Sequence, residues 1–564
     1  MTFMIFEANK KKVKGNIFYF LMMKARVKSL LSTQVIFSIL FLLSFYNIVI
    51  SQTRTDTIGR TTFDLQFVGP ACKVAVELND YEIWGIYTTW LHSLDTIPFS
   101  DLQMYYNCFD YSIWRWGDFG ISGYLNLWRN NIANLDVTYD DNAAYAAYKN
   151  NVYLLEDAWP ASGYFCVLSI VPDTNYQYPI LSIGSGHYGD NYHIAAFNND
   201  SIYYTFSRYG SVWANWRSIG YAGYPSHNIC ASKNSGKVCV LWTVVDSTRP
   251  DWGVLYLRTS QDSGQTWSAP TPISNDIPSN LRNTFLGGYA IYDNYDNLHI
   301  VTQTYDGHHV KPVELWHYSS ANNPSWSRIA YLTTDTLLGK LGYGAIYACR
   351  PNIIQCNDGY SQRFFVVWEQ FQWGDVDSST DEKYLRADIY GAISDNFGGQ
   401  WSDSMSLTNS IGINERSPNL VYVTGHLRPH IAITYMIDNS AGIYVKGEGN
   451  ITINPIICKA LRLYDDIEEN SFSSLNSSLR ISPNPFSKSV SITFNPFVKG
   501  KVSVDIYDRE GRLIKALKEN SNSERNIILW DGKDTFGKIV SKGIYFCVVK
   551  TENIYITKKL VFVK

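Results

Sequence analysis

The sequence predicts an all-β protein, and three observations carry that expectation. Aromatic residues make up 15% of the 564 and charged residues only 18%, a balance that suits pleated, half-buried surfaces and excludes a disordered or coiled-coil chain. Between about residues 60 and 460, short Val, Ile, Tyr and Trp runs bounded by Asn, Asp, Gly and Ser recur, while helical spacing is hard to find. Within that stretch one pattern returns roughly every 45 to 70 residues. It has a Pro-containing or polar opening, a short apolar strand, a polar turn, a second strand ending in aromatics, and a pair closing near Trp.

The N-terminal element is an export signal. Lys24, Arg26 and Lys28 precede the apolar stretch Val35 to Tyr46, and Ser51 supplies a small residue where cleavage is expected. Residues 1–51 therefore read as a signal peptide whose better initiator is Met22 or Met23. At roughly 15 apolar residues the stretch falls short of the about 20 needed by a spanning helix. Membrane contact is expected only transiently, through this segment.

The repeats come next. Clear copies open at Tyr178-Pro179, Tyr224-Pro225, Arg350-Pro351 and Ser417-Pro418, weaker ones near Gly69-Pro70, Asn134 and Leu281. Units of this length suit four-stranded blades, so residues 52–460 are expected to form a six- or seven-bladed β-propeller, whose closure removes exposed sheet edges. Residues 461–479, acidic and then rich in Ser and Asn, read as a linker. Residues 480–564 alternate as short strands around Val490, Val502 and Ile544 and predict a small Ig-like β-sandwich.

Charge separates these regions. Residues 1–51 carry +6, residues 475–564 carry +8 and the stretch between carries −17. An acidic body repels phosphate backbones, so nucleic acid is not an expected partner. The nine cysteines form no C-x-x-C pair. Cys230 and Cys239 flank the turn Lys233 to Gly236 symmetrically, which leaves open both a disulfide and two ordinary buried thiols.

Two motifs resemble known families. Ser260, Asp262, Gly264 and Trp267 form S-x-D-x-G-x-T-W, which resembles the Asp box of sialidases and related propellers; Ser394, Asn396, Gly398 and Trp401 form a second copy with Asn for Asp. The resemblance implies turn-building roles on outer hairpins. In the C-terminal region Pro483, Asn484, Pro485 and Phe486, then Trp530, Asp531, Gly532, Asp534, Gly537, Gly543 and Tyr545, and finally Lys558 and Lys559 look together like the C-terminal sorting domain of the type IX (Por) secretion system. That resemblance implies the type IX machinery as partner. It also implies a destination outside the cell or on its outer surface, reached through the periplasm.

Sialidase chemistry would need three arginines for a carboxylate, but the family's opening Arg-Ile-Pro is missing and Arg60 is only its nearest candidate. Arg282, Arg350 and Arg416 each sit at or just before a first strand. In a closed ring they are expected to face one mouth as an anion or acidic-sugar site, because guanidinium forks bind carboxylates bidentately. The alternative is that each pairs with a local carboxylate such as Glu415. No spacing supports a metal site, and no phosphate-binding or dinucleotide motif indicates a cofactor. The leading expectation is an exported, non-catalytic module that binds glycan or a surface protein. A sialidase-like glycoside hydrolase is the runner-up.

Overall fold

The computed structural model describes residues 49–563 apart from 80–83, 111–114, 118–120, 123–126, 128, 187–188, 247, 357–361, 380–381, 425–429, 465–479, 483, 485, 495–500, 509–511, 521–525 and 551–554. Nearly all of the expected signal and linker lie outside the described residues. Every described element is a strand except two 3-10 turns, Ile273–Asp276 and Tyr444–Lys446. The chain divides into two compact units, Gln52–Arg462 and a second containing Leu463–Lys564.

Among the described residues the larger unit holds seven small sheets. In chain order their first strands are Ala75–Asn79, Asp136–Val137, Gln177–Gly186, Asn228–Ala231, Gly288–Tyr292, Ala348–Cys356 and Asn414–Val423. Each sheet then adds its next strands in antiparallel sequence. The seventh runs Asn414–Val423, His430–Asp438, Asn454–Tyr464 and then Val49–Thr61, so a strand from the beginning of the chain completes a sheet built from the end of this unit.

Burial explains the composition. Arg363–Val376 begins with nine consecutive buried residues, the pattern of a strand covered on both faces. Strands further out alternate, as in Asn151–Asp157 and Ser201–Arg208. Asn199 and Asp200, at φ 45° and 60°, make the two-residue turn that joins Gly189–Asn198 to Ser201–Arg208.

Three of the four clear proline openings are β-bulges, whereas Tyr224-Pro225 lies ahead of the strand Asn228–Ala231. Tyr178, Arg350 and Ser417 each precede a proline, each has positive φ (52°, 55° and 57°), and each sits at a register shift of its first strand. Proline donates no ladder hydrogen bond, so the pairing skips there and the preceding side chain is re-aimed.

Buried side chains stitch one sheet to the next. Asn134 Oδ1 accepts Leu181 N at 3.2 Å, Asn228 Oδ1 accepts Ala290 N at 3.3 Å, Asn352 Oδ1 accepts Leu420 N at 3.2 Å and Asn419 Oδ1 accepts Val74 N at 3.3 Å. Ser182 Oγ accepts Ala231 N at 3.0 Å, Gln303 Oε1 accepts Arg350 N at 3.2 Å, and Leu135 N donates to Lys73 O at 2.7 Å. Each bond satisfies an N–H in a first strand or just before one that burial would otherwise leave unpaired.

Among the described residues the smaller unit has two sheets. One orders Arg480–Ser482, Val490–Phe494 and Asn526–Trp530; the other orders Leu513–Asn520, Lys501–Asp508, Gly543–Lys550 and Tyr555–Phe562. Val490, Ile492 and Trp530 from the first meet Val504, Ile506, Tyr545, Leu560 and Phe562 from the second in one core.

Candidate functional site

Two of the three candidate arginines meet and the third does not. Arg350 and Arg416, each 3% exposed, converge on Glu369, which is fully buried. Arg350 Nη1 donates to Glu369 Oε1; Arg416 donates from Nε to Oε2 at 3.2 Å and from Nη2 to Oε1 at 3.3 Å. Ser417 N adds a 2.9 Å bond to Oε2. Arg282 instead lies exposed, with Nε donating to Ser279 O at 2.7 Å. The bulges at Arg350 and Ser417 aim this cluster, since they interrupt the strand exactly where the guanidiniums leave it.

The electrostatics follow from that geometry. Burial pushes the Glu369 carboxyl up, but Arg416 and Arg350 outweigh it and hold the group at about 2. A second group of acids surrounds the pair. Burial raises Asp438 well above the ordinary range, with Asp64 adding repulsion and Arg416 opposing it; Asp438 accepts Asn414 Nδ2 at 3.1 Å. Burial also lifts Asp64 to about 6, although Tyr444 N and Val445 N donate to it. Both arginines are thus ion-paired with the one carboxylate of Glu369.

Glu415, beside Arg416 in sequence, does not serve that arginine. Neighbouring strand residues point to opposite faces, and Glu415 Oε1 accepts Ser410 Oγ at 3.3 Å. Burial, with Asp388 adding repulsion, raises Glu415 to about 7, and Lys459 and Tyr435 also face it. Between about 4.5 and about 7 the folded state binds the proton that the unfolded chain has lost, so this group lowers stability as pH rises through that window. Glu415→Gln is expected to flatten that fall, which Tm measured from pH 4 to 8 checks.

The turn motifs share one geometry. Asp262 Oδ1 accepts Ser260 Oγ and Thr266 N at 2.8 Å each, Gly264 N donates to Ser260 Oγ at 2.9 Å, and Trp267 Nε1 donates to Gly264 O at 3.1 Å. In the second copy Asn396 Oδ1 accepts Ser394 Oγ at 2.9 Å and Gln400 N at 2.8 Å, and Gly398 N donates to Ser394 Oγ at 3.0 Å. Asn suffices there because Gln400 has no hydroxyl to occupy a second carboxylate oxygen, as Thr266 Oγ1 does at Asp262 Oδ2. Trp401 donates to Ser327 Oγ at 3.2 Å. Gly264 has φ 81°, and a Cβ on it would lie 1.7 Å from the Tyr204 hydroxyl. Gly264→Ala is expected to cost about 3 kcal/mol from overpacking and strain, read as a lower denaturation midpoint.

A polar cleft of about 540 Å³ lies between the third and fourth sheets, lined by Asp190, Asn191, Arg208, Tyr209, Ser235 and Ser263 among others. Asp190 organises its rim: its carboxylate accepts Tyr139 N at 3.0 and 3.1 Å, and its carbonyl accepts Tyr209 N at 3.1 Å. The side chains of Tyr139 and Tyr209 stand 85% and 55% exposed. Sequence reasoning missed this cleft because its lining comes from separate turns. It also missed Glu369, whose signal was a carboxylate inside the apolar run Phe364 to Phe371.

In the smaller unit the residues expected to carry the sorting signal build turns and core. Asn484 Oδ1 accepts Val561 N at 2.9 Å, Trp530 Nε1 donates to Lys533 O at 2.9 Å, and Tyr545 OH donates to Ser541 O at 2.6 Å. Asp531 Oδ1 accepts Lys533 N at 3.2 Å, while Asp534 Oδ1 accepts Phe536 N and Lys538 N at 2.9 Å each. Gly532 and Gly537 take φ 68° and 81°. Lys558 and Lys559 pair in register with Cys547 and Phe546; Pro483 and Pro485 lie outside the described residues.

Residues 480–564 match the family described as the secretion system C-terminal sorting domain. The chain thus carries a type IX export tail, which implies interaction with that machinery and export to the cell surface or the extracellular space. No curated protein matches the sequence. Among solved structures, a protein of unknown function from Dyadobacter fermentans is similar at 9% identity and TM-score 0.38, covering 74% of this chain and 99% of that one. PorZ, a surface component of the type IX secretion system of Porphyromonas gingivalis, is similar at 10% identity and TM-score 0.22, over 87% and 81%. A GH62 α-L-arabinofuranosidase catalytic domain from Coprinopsis cinerea gives 12% and 0.27, over 50% and 99%. At these scores none of the three defines fold or function. No described helix is long and apolar enough to cross a membrane.

Proposed function

We propose that the protein is an exported binding module whose seven sheets are the blades of a β-propeller and whose ligand is carbohydrate. The ring reading is supported by the stitching bonds: followed from sheet to sheet they lead from the first to the seventh, and Asn419 on the seventh returns to Val74 beside the first. The outer strand Val49–Thr61 in the seventh sheet suits such a closure.

The observation that carries the ligand class is the Asp190 cleft. The exposed Tyr209 ring lines a polar hollow of a volume that suits small-molecule sites. A sugar offers an apolar face to such a ring and hydroxyls to Asp190, Arg208 and Ser263. A non-catalytic role is supported by the arginine pair, because Glu369 already occupies the groups that would hold a substrate carboxylate. Residues of the two turn motifs act in this reading as Asp-box scaffolding.

A glycan array probed with the full chain is expected to return a binding set, and Tyr209→Ala is expected to weaken it at least tenfold with Tm unchanged. Arg350→Ala with Arg416→Ala is expected to lower Tm instead. Turnover of a fluorogenic glycoside panel would replace this reading with the hydrolase one.

A further inference from the structure

Nine cysteines occupy the chain, and among the described strands one pair stands directly opposite in register. Cys230 on Asn228–Ala231 faces Cys239 on Val238–Asp246. Directly opposed residues of antiparallel strands have Cα atoms about 4.5 to 5.5 Å apart, inside the roughly 4.4 to 6.8 Å that a disulfide spans. Cys239 is buried and Cys230 half-buried.

We propose that Cys230 and Cys239 are joined by a cross-strand disulfide once the chain has left the cytoplasm. The export tail brings the protein into compartments where disulfides form and persist. The oxidant is a disulfide of a partner protein or a small molecule. The Cys230 thiolate attacks it, forms a mixed disulfide and releases one thiol; the Cys239 thiolate then attacks the Cys230 sulfur and expels the second thiol. Two cysteine thiols are oxidised and one oxidant disulfide is reduced, with both protons ending on the released thiols or solvent. The neighbouring Cys239 thiol pulls the Cys230 thiol below its ordinary range against the effect of burial, which favours Cys230 as the first nucleophile.

The bond has a structural consequence. It fastens a first strand of only four residues to its neighbour. It also sits beside the turn whose Gly236 O accepts Ser263 N at 2.7 Å. Ser235, Gly236 and Ser263 form one wall of the Asp190 cleft, so the disulfide fixes that wall.

The test is thiol mapping of the full chain secreted by a host with the type IX route, denatured in an alkylating agent without reductant. Cleavage after Lys233 and Lys237 places the two cysteines on separate peptides. The expected result is one linked species containing both, split into two by reductant, and a newly alkylated Cys239 in Cys230→Ser. Full alkylation of both cysteines in the exported protein would overturn the proposal, as would a link from either to a third cysteine. Cys230→Ser also lowers Tm only under non-reducing conditions; an equal Tm in both conditions for wild type and variant counts against the bond.

Discussion

Glu369→Ala is expected to destabilise the larger unit by about 3 to 5 kcal/mol, because it leaves two buried guanidiniums without their counter-charge. Arg350 and Arg416 are each 3% exposed, and both donate hydrogen bonds to this carboxylate. Denaturant unfolding of the full chain, followed by tryptophan fluorescence, measures the loss. Glu369→Gln retains the volume and one acceptor oxygen but not the charge, so it is expected to recover only part of it. The pH limb gives an independent check. In the folded chain the carboxyl ionises at about 2, below its ordinary 4.5, so between those values the unfolded state binds more protons. The contribution is therefore complete above about pH 4.5 and lost as the pH falls toward 2, and Glu369→Ala should lack that limb of acid sensitivity. A substitution with wild-type stability would show that the arginines have another partner.

Much of the fold is written in local sequence, and the positions that escaped show why. The openings at Tyr178-Pro179, Arg350-Pro351 and Ser417-Pro418 were visible because proline must interrupt a ladder, and the structure places a bulge at each. The stitching role of Asn134, Asn228, Asn352 and Asn419 was not visible. An asparagine in sequence reads as a turn former, and only the approach of the next sheet turns its amide into a clasp. The arginines show the same limit. Their place at the start of first strands was legible, but the partner lies 19 residues from one and 47 from the other, where no local spacing indicates it. A physical clue existed nonetheless: a carboxylate within a strand buried on both faces must be paired. Glu369 met that condition.

Trp530→Ala is expected to abolish export. The side chain is fully buried and its ring lies 5.5 Å from Phe486 and 5.4 Å from Tyr545, with Phe562 5.0 Å from Phe486 in the same cluster. Removing a buried tryptophan costs about 3 to 5 kcal/mol, and a small unit resting on one core has a total stability of only about 5 to 15 kcal/mol. The same change frees Lys533 O from the indole N–H that holds the Asp531 to Lys533 turn. The residues expected to carry the sorting signal are distributed over turns and strands that converge only when this core is packed, so unfolding disperses them. Phe536→Ala supplies the contrast: that ring is 94% exposed, and its loss is expected to leave both folding and export unchanged. Fractionation of a type IX host separates the outcomes. The Trp530 variant should accumulate in the periplasm while the Phe536 variant reaches the outside. Normal export of the Trp530 variant would mean that the tail is read as a linear sequence.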